Sequence, residues 1–563
     1  MWKLGQVQAF TRLRMGLPFP ENAFDPSPEA IFFPAAIMAS SGCPCIQQNF
    51  FMSSRFASKP EAFPDRASRG AILLTSLAIA AFSSLLIYPV KGFTVIREFD
   101  RGPCSSHCTI YAGPSGTDKN SGSDPSSPKT LRGAAAATRP GTTVCLLPGT
   151  YNLDSSFASP QSGAPSAWIV YKSCGHGPAN IVYTGPADAS PMFRLGSGKF
   201  PSGPSYLEFR GLHLDGRGSA GDGFFCRGGH HLRFIDNSIT GTGGSGIGSI
   251  GCDYLTADHN VIVHNGYVPP STRVPRWYSW SSGISFNSDQ WLDRYPGFHN
   301  IISNNVVAGE VDQSSKHSDG NGIILDLSNR TYDYSSANTP PALVISNVVY
   351  GNGGRCLEAY TVTNFWFVNN TCYKNVLDLP DRTDASITVN NSHDGYVVNN
   401  LVVAAGASHP CYAEEHTIEN IHYFANLCFG SSNLLADADS QFLSADPLFA
   451  RPPDLDPSIP AEQALSSSFR AQPEIPLPAK TRETSPQPTL EDGPNDRLAD
   501  GFALLPHSPA LAKGVDPATL PGLPKELAAD LKKYIYSDFA GNPRPHGGSF
   551  DLGAYQSSSL PRH

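Results

Sequence analysis

The sequence predicts an all-β solenoid, a single-stranded parallel β-helix in which short strands stack coil upon coil. Three observations predict it. Apolar, β-branched runs recur with one period between residues 230 and 430, an Asn lies at nearly the same place in each run, and the repeats contain no helix-length amphipathic stretch. The runs read FIDNSI, TADHNVIV, IISNNVV, LVISNVVYGN, WFVNNTCY, YVVNNLVV and YFANLCF.

The repeated asparagines set the length of one coil. They are Asn237, Asn260, Asn305, Asn347, Asn370, Asn400 and Asn426, with successive separations of 23, 45, 42, 23, 30 and 26 residues. The two long separations are about twice the short ones or contain an insertion, so one basic period of roughly 22 to 26 residues repeats. We expect these side chains to hydrogen-bond along the stack at one turn, holding the fold rather than a substrate.

Composition agrees with a solenoid and excludes some partners. The chain has 563 residues, of which 16% are charged, and it contains 52 Gly and 49 Pro. A solenoid grows along its axis, so one extended domain of this length is reasonable. The net charge of −9 gives no reason to expect nucleic acid or an anionic membrane surface as a partner, whereas a polyanionic substrate needs only a local basic cleft.

The N-terminal region has a separate character. Residues 1–70 are expected to form a poorly ordered N-terminal region, of which residues 1–51 show no usable pattern. The segment Ala71–Val90 is an uncharged run of 20 residues. Basic residues precede the run at Arg55, Lys59, Arg66 and Arg69. Its length suits a single membrane anchor, and its Ala and Ser content suits a cleaved export signal. Either interpretation places the solenoid outside the cytoplasm.

Ten cysteines follow the apolar run, and none forms a CxxC pair, which disfavours a zinc site. Cys226 and Cys252 are 26 residues apart, about one coil. The spacing allows them to be stacked neighbours that form a disulfide, and it equally allows several of the cysteines to be buried thiols that fill the core.

Both ends of the solenoid carry a family resemblance. The segment IYAGPSGTDKNSGSDPSSPKTLRGAAAATRPGTTVCLLPGTY after Cys108 resembles the opening of bacterial right-handed parallel β-helix proteins of the pectate-lyase-like superfamily. DPLFA, DGFALLPHSPALAKG and DFAGNPRPHGGSFDLGAYQ resemble their closing segment. The resemblance implies a right-handed β-helix over 108–435, an N-terminal cap helix over Thr130 to Thr138, and an irregular closing segment over 436–563. A Pro/Ser-rich linker is expected at 451–496.

One strand of each coil follows a small residue, and these strands align by sequence. They read GFFCR, GIGSI, GISFN, GIILD, CLEAY and SITVN. Because side chains alternate, the second and fourth positions share one face, which is predicted to be the core. Those positions hold Phe224, Cys226, Ile247, Ser249, Ile284, Phe286, Ile323, Leu325, Leu357, Ala359, Ile387 and Val389.

The fifth positions then form an outward row with a spacing of about 4.8 Å. This row, called the strip below, comprises Arg227, Ile250, Asn287, Asp326, Tyr360 and Asn390. Flanking polar residues are Glu358 and Thr388 at third positions, Asp222, Asn321 and Arg355 just before strands, and Lys316, His317 and Asp319 at a strand entrance. The strip is either a functional surface or an ordinary solvated face.

An aromatic insertion follows His264 and contains RWYSW and QWLDRY. Its Trp277, Tyr278 and Trp280 are candidate substrate-binding residues, because flat rings pack on the apolar faces of sugars. Tyr360 and Asn390 of the strip join them as candidates. The alternative is an aromatic mini-core that fixes a long loop.

The expected function is an exported polysaccharide lyase that cleaves a uronate-containing glycan by β-elimination. Asn287, Asp319, Asp326 and Glu358 offer the oxygen ligands that suit Ca²⁺. Lys316, His317, Arg355 and Arg227 are candidates to neutralise charge or to act as the base. The nearest enzymes by resemblance are the family 9 pectate lyases, which use a Lys base and Asp-bound calcium. Arg227 stands where their motif would place Lys.

Two alternatives remain open. A glycoside hydrolase would use Asp326 and Glu358, whose separation would need to be about 5 to 5.5 Å or about 6.5 to 9.5 Å. A non-catalytic glycan-binding protein of the cell envelope would keep the same repeats without chemistry. In each case the chain is expected to act as a monomer.

Overall fold

The computed structural model describes Cys104 and residues 107–188, 190–267, 281–313, 317–327, 338–378, 384–433, 435, 442–455 and 498–557. Several sequence predictions lie outside these residues. They are the N-terminal region, the apolar run at 71–90, Lys316, Trp277, Tyr278, Trp280 and most of the linker. No helix in the described part of the chain is long and apolar enough to cross a membrane.

Three parallel sheets form the solenoid, and each full coil contributes one strand to each sheet. Sheet A contains β1 Ile110–Ala112, β2 Thr143–Leu146, β4 Ile169–Ser173, β7 Ser205–Arg210, β10 His230–Ile235, β13 Asp253–Asp258, β16 Asn300–Ser303, β19 Ala342–Ile345, β22 Phe365–Val368, β25 His393–Val398 and β28 Glu419–Phe424. Sheet B contains β3 Gly149–Leu153, β5 Ala179–Tyr183, β8 Leu212–Asp215, β11 Ser238–Thr240, β14 Val261–Val263, β17 Val306–Ala308, β20 Val348–Tyr350, β23 Thr371–Tyr373, β26 Leu401–Val403, β29 Asn426–Phe429 and β30 Phe442–Leu443. Sheet C contains β6 Phe193–Leu195, β9 Phe224–Arg227, β12 Ile247–Ile250, β15 Ser282–Asn287, β18 Asn321–Asp326, β21 Leu357–Tyr360, β24 Ile387–Asn390 and β27 Tyr412–Glu415.

This topology confirms the predicted right-handed parallel β-helix. The predicted core positions of sheet C are buried, from Phe224 to Val389. Apolar side chains from all three sheets meet in one continuous interior, which explains why the repeat consists largely of β-branched and aromatic residues.

The asparagine ladder is confirmed at the turn between sheets A and B. The side-chain nitrogen of Asn237 donates to the side-chain oxygen of Asn260 at 3.0 Å, and Asn260 donates to Asn305 at 2.9 Å. The same bonds continue through Asn347, Asn370, Asn400 and Asn426. Each oxygen also accepts from a backbone amide of the preceding coil, so these buried amides satisfy one another.

Glycine is required where the chain turns from sheet B into sheet C. A Cβ at Gly246, Gly283 or Gly322 would overlap a branched side chain of sheet B, namely Ile262, Val307 or Val349 respectively. The lack of a side chain at these three positions therefore lets the chain turn into β12, β15 and β18.

The N-terminal cap helix is confirmed, and a second helix was not foreseen. Helix α1, Leu131–Ala136, begins after Thr130, whose hydroxyl accepts from the amide of Gly133. It buries Leu131, Ala134 and Ala135 against the first coils. Helix α2, Lys525–Tyr534, lies in the closing segment.

The closing segment packs on the outer faces of sheets A and B. Leu527 and Leu531 of α2, and Ile535 directly after it, pack with residues of sheet A that include Leu343 and Trp366. The Asp530 carboxylate accepts hydrogen bonds from the Tyr295 hydroxyl, the Phe298 amide and the Lys533 amine. On sheet B the partners are Leu455, Phe502, Phe539, Leu552 and Tyr555. Sheets A and B thus bury outward apolar residues, whereas sheet C turns charged and amide side chains outward.

Leu531→Ala should lower the free energy of unfolding by about 2–5 kcal/mol, because it opens a cavity between α2 and sheet A. Urea unfolding followed by tryptophan fluorescence measures this. Lys532→Ala, at an exposed position of the same helix, is the control and should change the stability by less than about 0.5 kcal/mol. Equal effects of the two changes would mean that α2 does not support the solenoid.

Five disulfides link the described cysteines. The predicted pair Cys226–Cys252 is confirmed. The others are Cys104–Cys174, Cys108–Cys145, Cys356–Cys372 and Cys411–Cys428. This number of disulfides fits an extracellular or periplasmic protein.

Candidate functional site

The predicted strip exists, and its register is as aligned from the sequence. Asn287 of β15 pairs with Asp326 of β18, Asp326 pairs with Tyr360 of β21, and Tyr360 pairs with Asn390 of β24. The row continues to Arg227 through Ile250 on one side and to Glu415 of β27 on the other. The sequence alignment stopped at Asn390, so extending it by one coil would have found Glu415.

Asp326 and Asn287 form a direct pair near the centre of the strip. The side-chain nitrogen of Asn287 donates to a carboxylate oxygen of Asp326 at 2.6 Å. The side-chain oxygen of Asn287 accepts from the Ser288 hydroxyl at 2.6 Å. These bonds orient Asn287 with its nitrogen, not its oxygen, toward the carboxylate.

Glu358 lies on the strand next to Asp326 and is almost fully covered. Glu358 pairs with Ile324 of β18, so its position is offset by two residues from that of Asp326 on the neighbouring strand. Only 3% of its surface is exposed, whereas the sequence predicted an outward, solvated position. The Asn321 side chain donates to one Glu358 oxygen at 3.0 Å, and the Arg355 guanidinium lies 3.6 Å from the same oxygen.

Arg355 is the cation around which the carboxylates gather. Its guanidinium lies 3.3 Å from Asp384 and 4.0 Å from Glu415, in addition to its contact with Glu358. Its backbone amide donates to the side-chain oxygen of Asn321 at 2.8 Å. Burial would lower the pKa of Arg355, but the carboxylates raise it above its ordinary value. Arg355 is therefore held as a cation, which suits neutralising charge and not accepting a proton.

The carboxyl groups differ from ordinary surface acids. Burial raises the pKa of Glu358 to about 7; Arg355 lowers it, while Glu415, Asp326 and Asp384 raise it. The pKa of Asp319 is raised well above its ordinary value, first by burial and then by Glu358 and other neighbouring carboxylates. Two acidic side chains near the strip therefore favour their protonated forms at mildly acidic pH.

The turn at 317–320 carries His317 and Asp319, and it places the Asp319 carboxyl near Glu358 and Asp326. A carboxylate oxygen of Asp312 accepts from the backbone amides of Ser318 at 3.1 Å and Asp319 at 3.4 Å. The His317 ring nitrogen lies 3.2 Å from an Asp378 oxygen, and its side chain is partly exposed. Asp312, Asp378 and Asp384 lie in connections of irregular length, so the repeat in the sequence gave no signal for them.

The remaining predicted residues divide between near and remote positions. Tyr360 and Asn390 lie beside the carboxylates, and the Asn390 nitrogen donates to Glu415 at 2.9 Å. Arg227 is exposed and lies three strands from Asp326, about 14 Å at the usual strand spacing. The catalytic role expected for Arg227 stays a prediction.

The four predicted calcium ligands lie on one face of the solenoid but do not form a ready calcium cage. Among the described residues, the only three acidic, histidine or cysteine ligand atoms within 4.8 Å of one another belong to Cys108, Cys145 and Cys174, which are in disulfides. Asn287 points its nitrogen at Asp326, and one Glu358 oxygen is held by Asn321. Calcium binding by Asn287, Asp319, Asp326 and Glu358 therefore stays a prediction.

Comparison with known proteins finds similar solved structures and no family. No family model and no curated protein matches the chain. The chain is similar to the crystal structure of pectate lyase Pel9A, with a TM-score of 0.46 and 18% identity over 81% of this chain and 98% of that chain. It is also similar to XylC in complex with xylose, with a TM-score of 0.40 and 8% identity over 79% of this chain and 98% of that chain.

A third similar structure is the A-module of the Azotobacter vinelandii mannuronan C-5 epimerase AlgE6. Its TM-score is 0.34, with 17% identity over 56% of this chain and 94% of that chain. The three parallel sheets described above, rather than these similarities, confirm the fold that the sequence resemblance implied.

Proposed function

We propose that the protein is a carbohydrate-active enzyme that hydrolyses glycosidic bonds at the sheet C strip, with Glu358 as general acid and Asp326 as its carboxylate partner. One observation carries the proposal: two carboxyl side chains stand on the adjacent strands β18 and β21, on the same polar face, two residues apart in register. Paired carboxyl groups across the scissile bond are the requirement of most glycoside hydrolases.

The backbone geometry suits this pair. Neighbouring strands and a two-residue offset put the two Cα atoms roughly 8 Å apart. From that separation the carboxyl groups reach either the short spacing of a retaining enzyme or the longer one of an inverting enzyme. The row of outward residues runs along the solenoid axis, so an extended glycan chain fits along it.

The raised pKa of Glu358 favours this residue as the general acid. A pKa of about 7 leaves a large share of Glu358 protonated near neutral pH, as a general acid requires. Glu358 gives its proton to the glycosidic oxygen as the bond to the sugar breaks. Asp326 then either attacks the sugar carbon or takes a proton from the attacking water. Asn287 holds Asp326 in place, and Asn321 and Arg355 hold Glu358.

A polysaccharide lyase, which was the first expectation from the sequence, is the second candidate function. The observation that favours it is the crowding of Asp319, whose pKa is raised by burial and then by Glu358, Asp326 and Asp312. A cation bound there would relieve this repulsion, and uronate cleavage needs a cation to neutralise the sugar carboxylate. His317 and Lys316 would be the candidate bases. The third candidate function is that of a glycan-binding protein without catalytic activity.

One experiment separates the three functions. The full chain is incubated with a panel of neutral glycans and polyuronates, with Ca²⁺ or with a chelator, while reducing ends and the ultraviolet absorbance of unsaturated products are recorded. Hydrolysis predicts new reducing ends without absorbance, in the presence of chelator as well. Absorbance that the chelator suppresses would replace hydrolysis by lyase chemistry, and retention of a glycan with neither signal would favour a binding protein.

A further inference from the structure

A second ladder of buried polar side chains runs along the solenoid at the turn between sheets B and C. The side-chain oxygen of Asn265 accepts from the Thr242 hydroxyl at 2.9 Å, and Asn352 donates to Asn375 at 2.8 Å. Backbone amides donate to the same oxygens, as in the first ladder. This ladder continues the pattern that holds the coils in register.

One member of this second ladder is an acid. Glu310 occupies the position between Asn265 and Asn352, and its side chain is completely buried. The Asn265 nitrogen donates to one Glu310 oxygen at 3.1 Å, and the Glu310 backbone amide donates to the Asn352 oxygen at 2.9 Å. The second carboxyl oxygen of Glu310 has no hydrogen-bond partner in the described structure.

The asparagines of this ladder use their side-chain nitrogens as donors, and Glu310 has a carboxyl oxygen in place of such a nitrogen. Asn265 and Asn352 each send a nitrogen to the carbonyl oxygen of a sheet B residue in the preceding coil, Ile239 and Val307 respectively. The corresponding residue for Glu310 is Ile262, which pairs with both in sheet B. The position therefore calls for a hydrogen-bond donor, which a carboxylate lacks and a carboxylic acid provides.

We infer that Glu310 is a protonated member of the second ladder, so that a proton is a structural component of the solenoid. The position also matters to the strip, since Asp312, two residues later, accepts from the amides of the turn that carries His317 and Asp319. Loss of the proton places an unpaired charge inside this coil and weakens it.

The surroundings of Glu310 support this assignment. Burial raises its pKa to about 8, and the hydrogen bonds from Asn265 lower it. No charged side chain in the described part of the chain contributes to the shift. The neighbouring groups are the amides of Asn265 and Asn352 and the backbone of Gly283. Nothing nearby therefore compensates a negative charge.

The sign of the pH dependence follows. The folded state keeps the proton up to a pH of about 8, whereas the unfolded chain releases it near the ordinary value of 4.5. Stability from this group is therefore complete below about pH 4.5, declines as the pH rises to about 8, and is constant above. The full decline corresponds to roughly a three-thousandfold change in the folding equilibrium.

Glu310→Gln tests the inference, because the amide is neutral at every pH and donates without a titratable proton. Urea unfolding of both proteins is measured from pH 4.5 to 9. The variant should gain stability relative to the wild type as the pH rises, by about three powers of ten in the folding equilibrium, and the gain should level off above about pH 8. A constant difference across this range would overturn the inference.

A control variant and an infrared measurement provide two further tests of the protonation of Glu310. Glu208→Gln removes a buried glutamate of sheet A that is paired with Arg210 and Arg233, and it should not gain relative stability with rising pH. Infrared spectra with ¹³C-carboxyl glutamate, recorded in a Glu358→Gln background, should show one protonated carboxyl band at pH 7. If Glu310→Gln fails to fold, absence of that band still rejects the inference.

Discussion

Replacing Glu358 with Gln should lower the turnover of the cleaved glycan by about 10²- to 10⁴-fold, because the amide cannot donate the proton that the leaving oxygen needs. The loss should appear in kcat with little change in KM, since Gln keeps the size of the side chain and its contact with Asn321. Initial rates of reducing-end release measure it. Asp326→Asn should have an equally large effect.

The choice of substrate shows whether Glu358 acts as an acid or only supports the fold. Aryl glycosides with an acidic phenol leave without protonation, so Glu358→Gln should lose much less activity on them than on the glycan. Glu208→Gln makes the same exchange on sheet A and should leave both activities unchanged. Equal losses on both substrates, together with a lowered Tm, would contradict the acid role.

Asn305→Ala should cost about 3–5 kcal/mol of unfolding free energy, the second large effect expected in this molecule. The Asn305 side chain donates to the Ala257 carbonyl and to Asn347, and it accepts from both the backbone and the side chain of Asn260. Its removal leaves several buried polar groups without partners at the middle of the solenoid. Thermal and urea unfolding measure the change.

The preceding residue provides a control for the ladder. Asn304 has a φ of 55°, and its side chain makes one hydrogen bond, to Asp258, at a partly exposed position. Asn304→Ala loses that bond and meets a left-handed backbone, which together should cost about 1–2 kcal/mol. If the two alanine variants were equally stable, the ladder would contribute nothing beyond an ordinary turn.

The repetitive part of this fold was predictable because the same positions in each coil need the same types of side chain. An interior that admits only apolar side chains and a turn that needs a buried amide recur in each coil, so the spacing of Asn237 to Asn426 revealed the solenoid. The register of the strip followed from the same alignment, and Asn287, Asp326 and Tyr360 lie where it placed them.

The non-repetitive part was not predictable. Asp312 and Asp384 lie in connections whose lengths vary from coil to coil, so the sequence repeat does not predict their positions. The disulfide Cys356–Cys372 joins residues within a single coil, from the start of a sheet C strand to sheet B, and the one-coil spacing used for Cys226–Cys252 does not find it. Burial of Glu358 depends on Arg355 and its neighbours, which a count of alternating positions does not include.

The closing segment has a consequence for how the solenoid unfolds. Stacked coils that touch only their neighbours melt progressively from the ends, as a row of weakly coupled units. The apolar face of α2 and Phe550 belong to one packed cluster with Phe298, Ile301, Leu343, Trp366 and Val398, which come from four successive strands of sheet A and the turn before them. Because the closing segment packs against several coils at once, it couples their unfolding. The coils that carry Asp326 and Glu358 therefore unfold together.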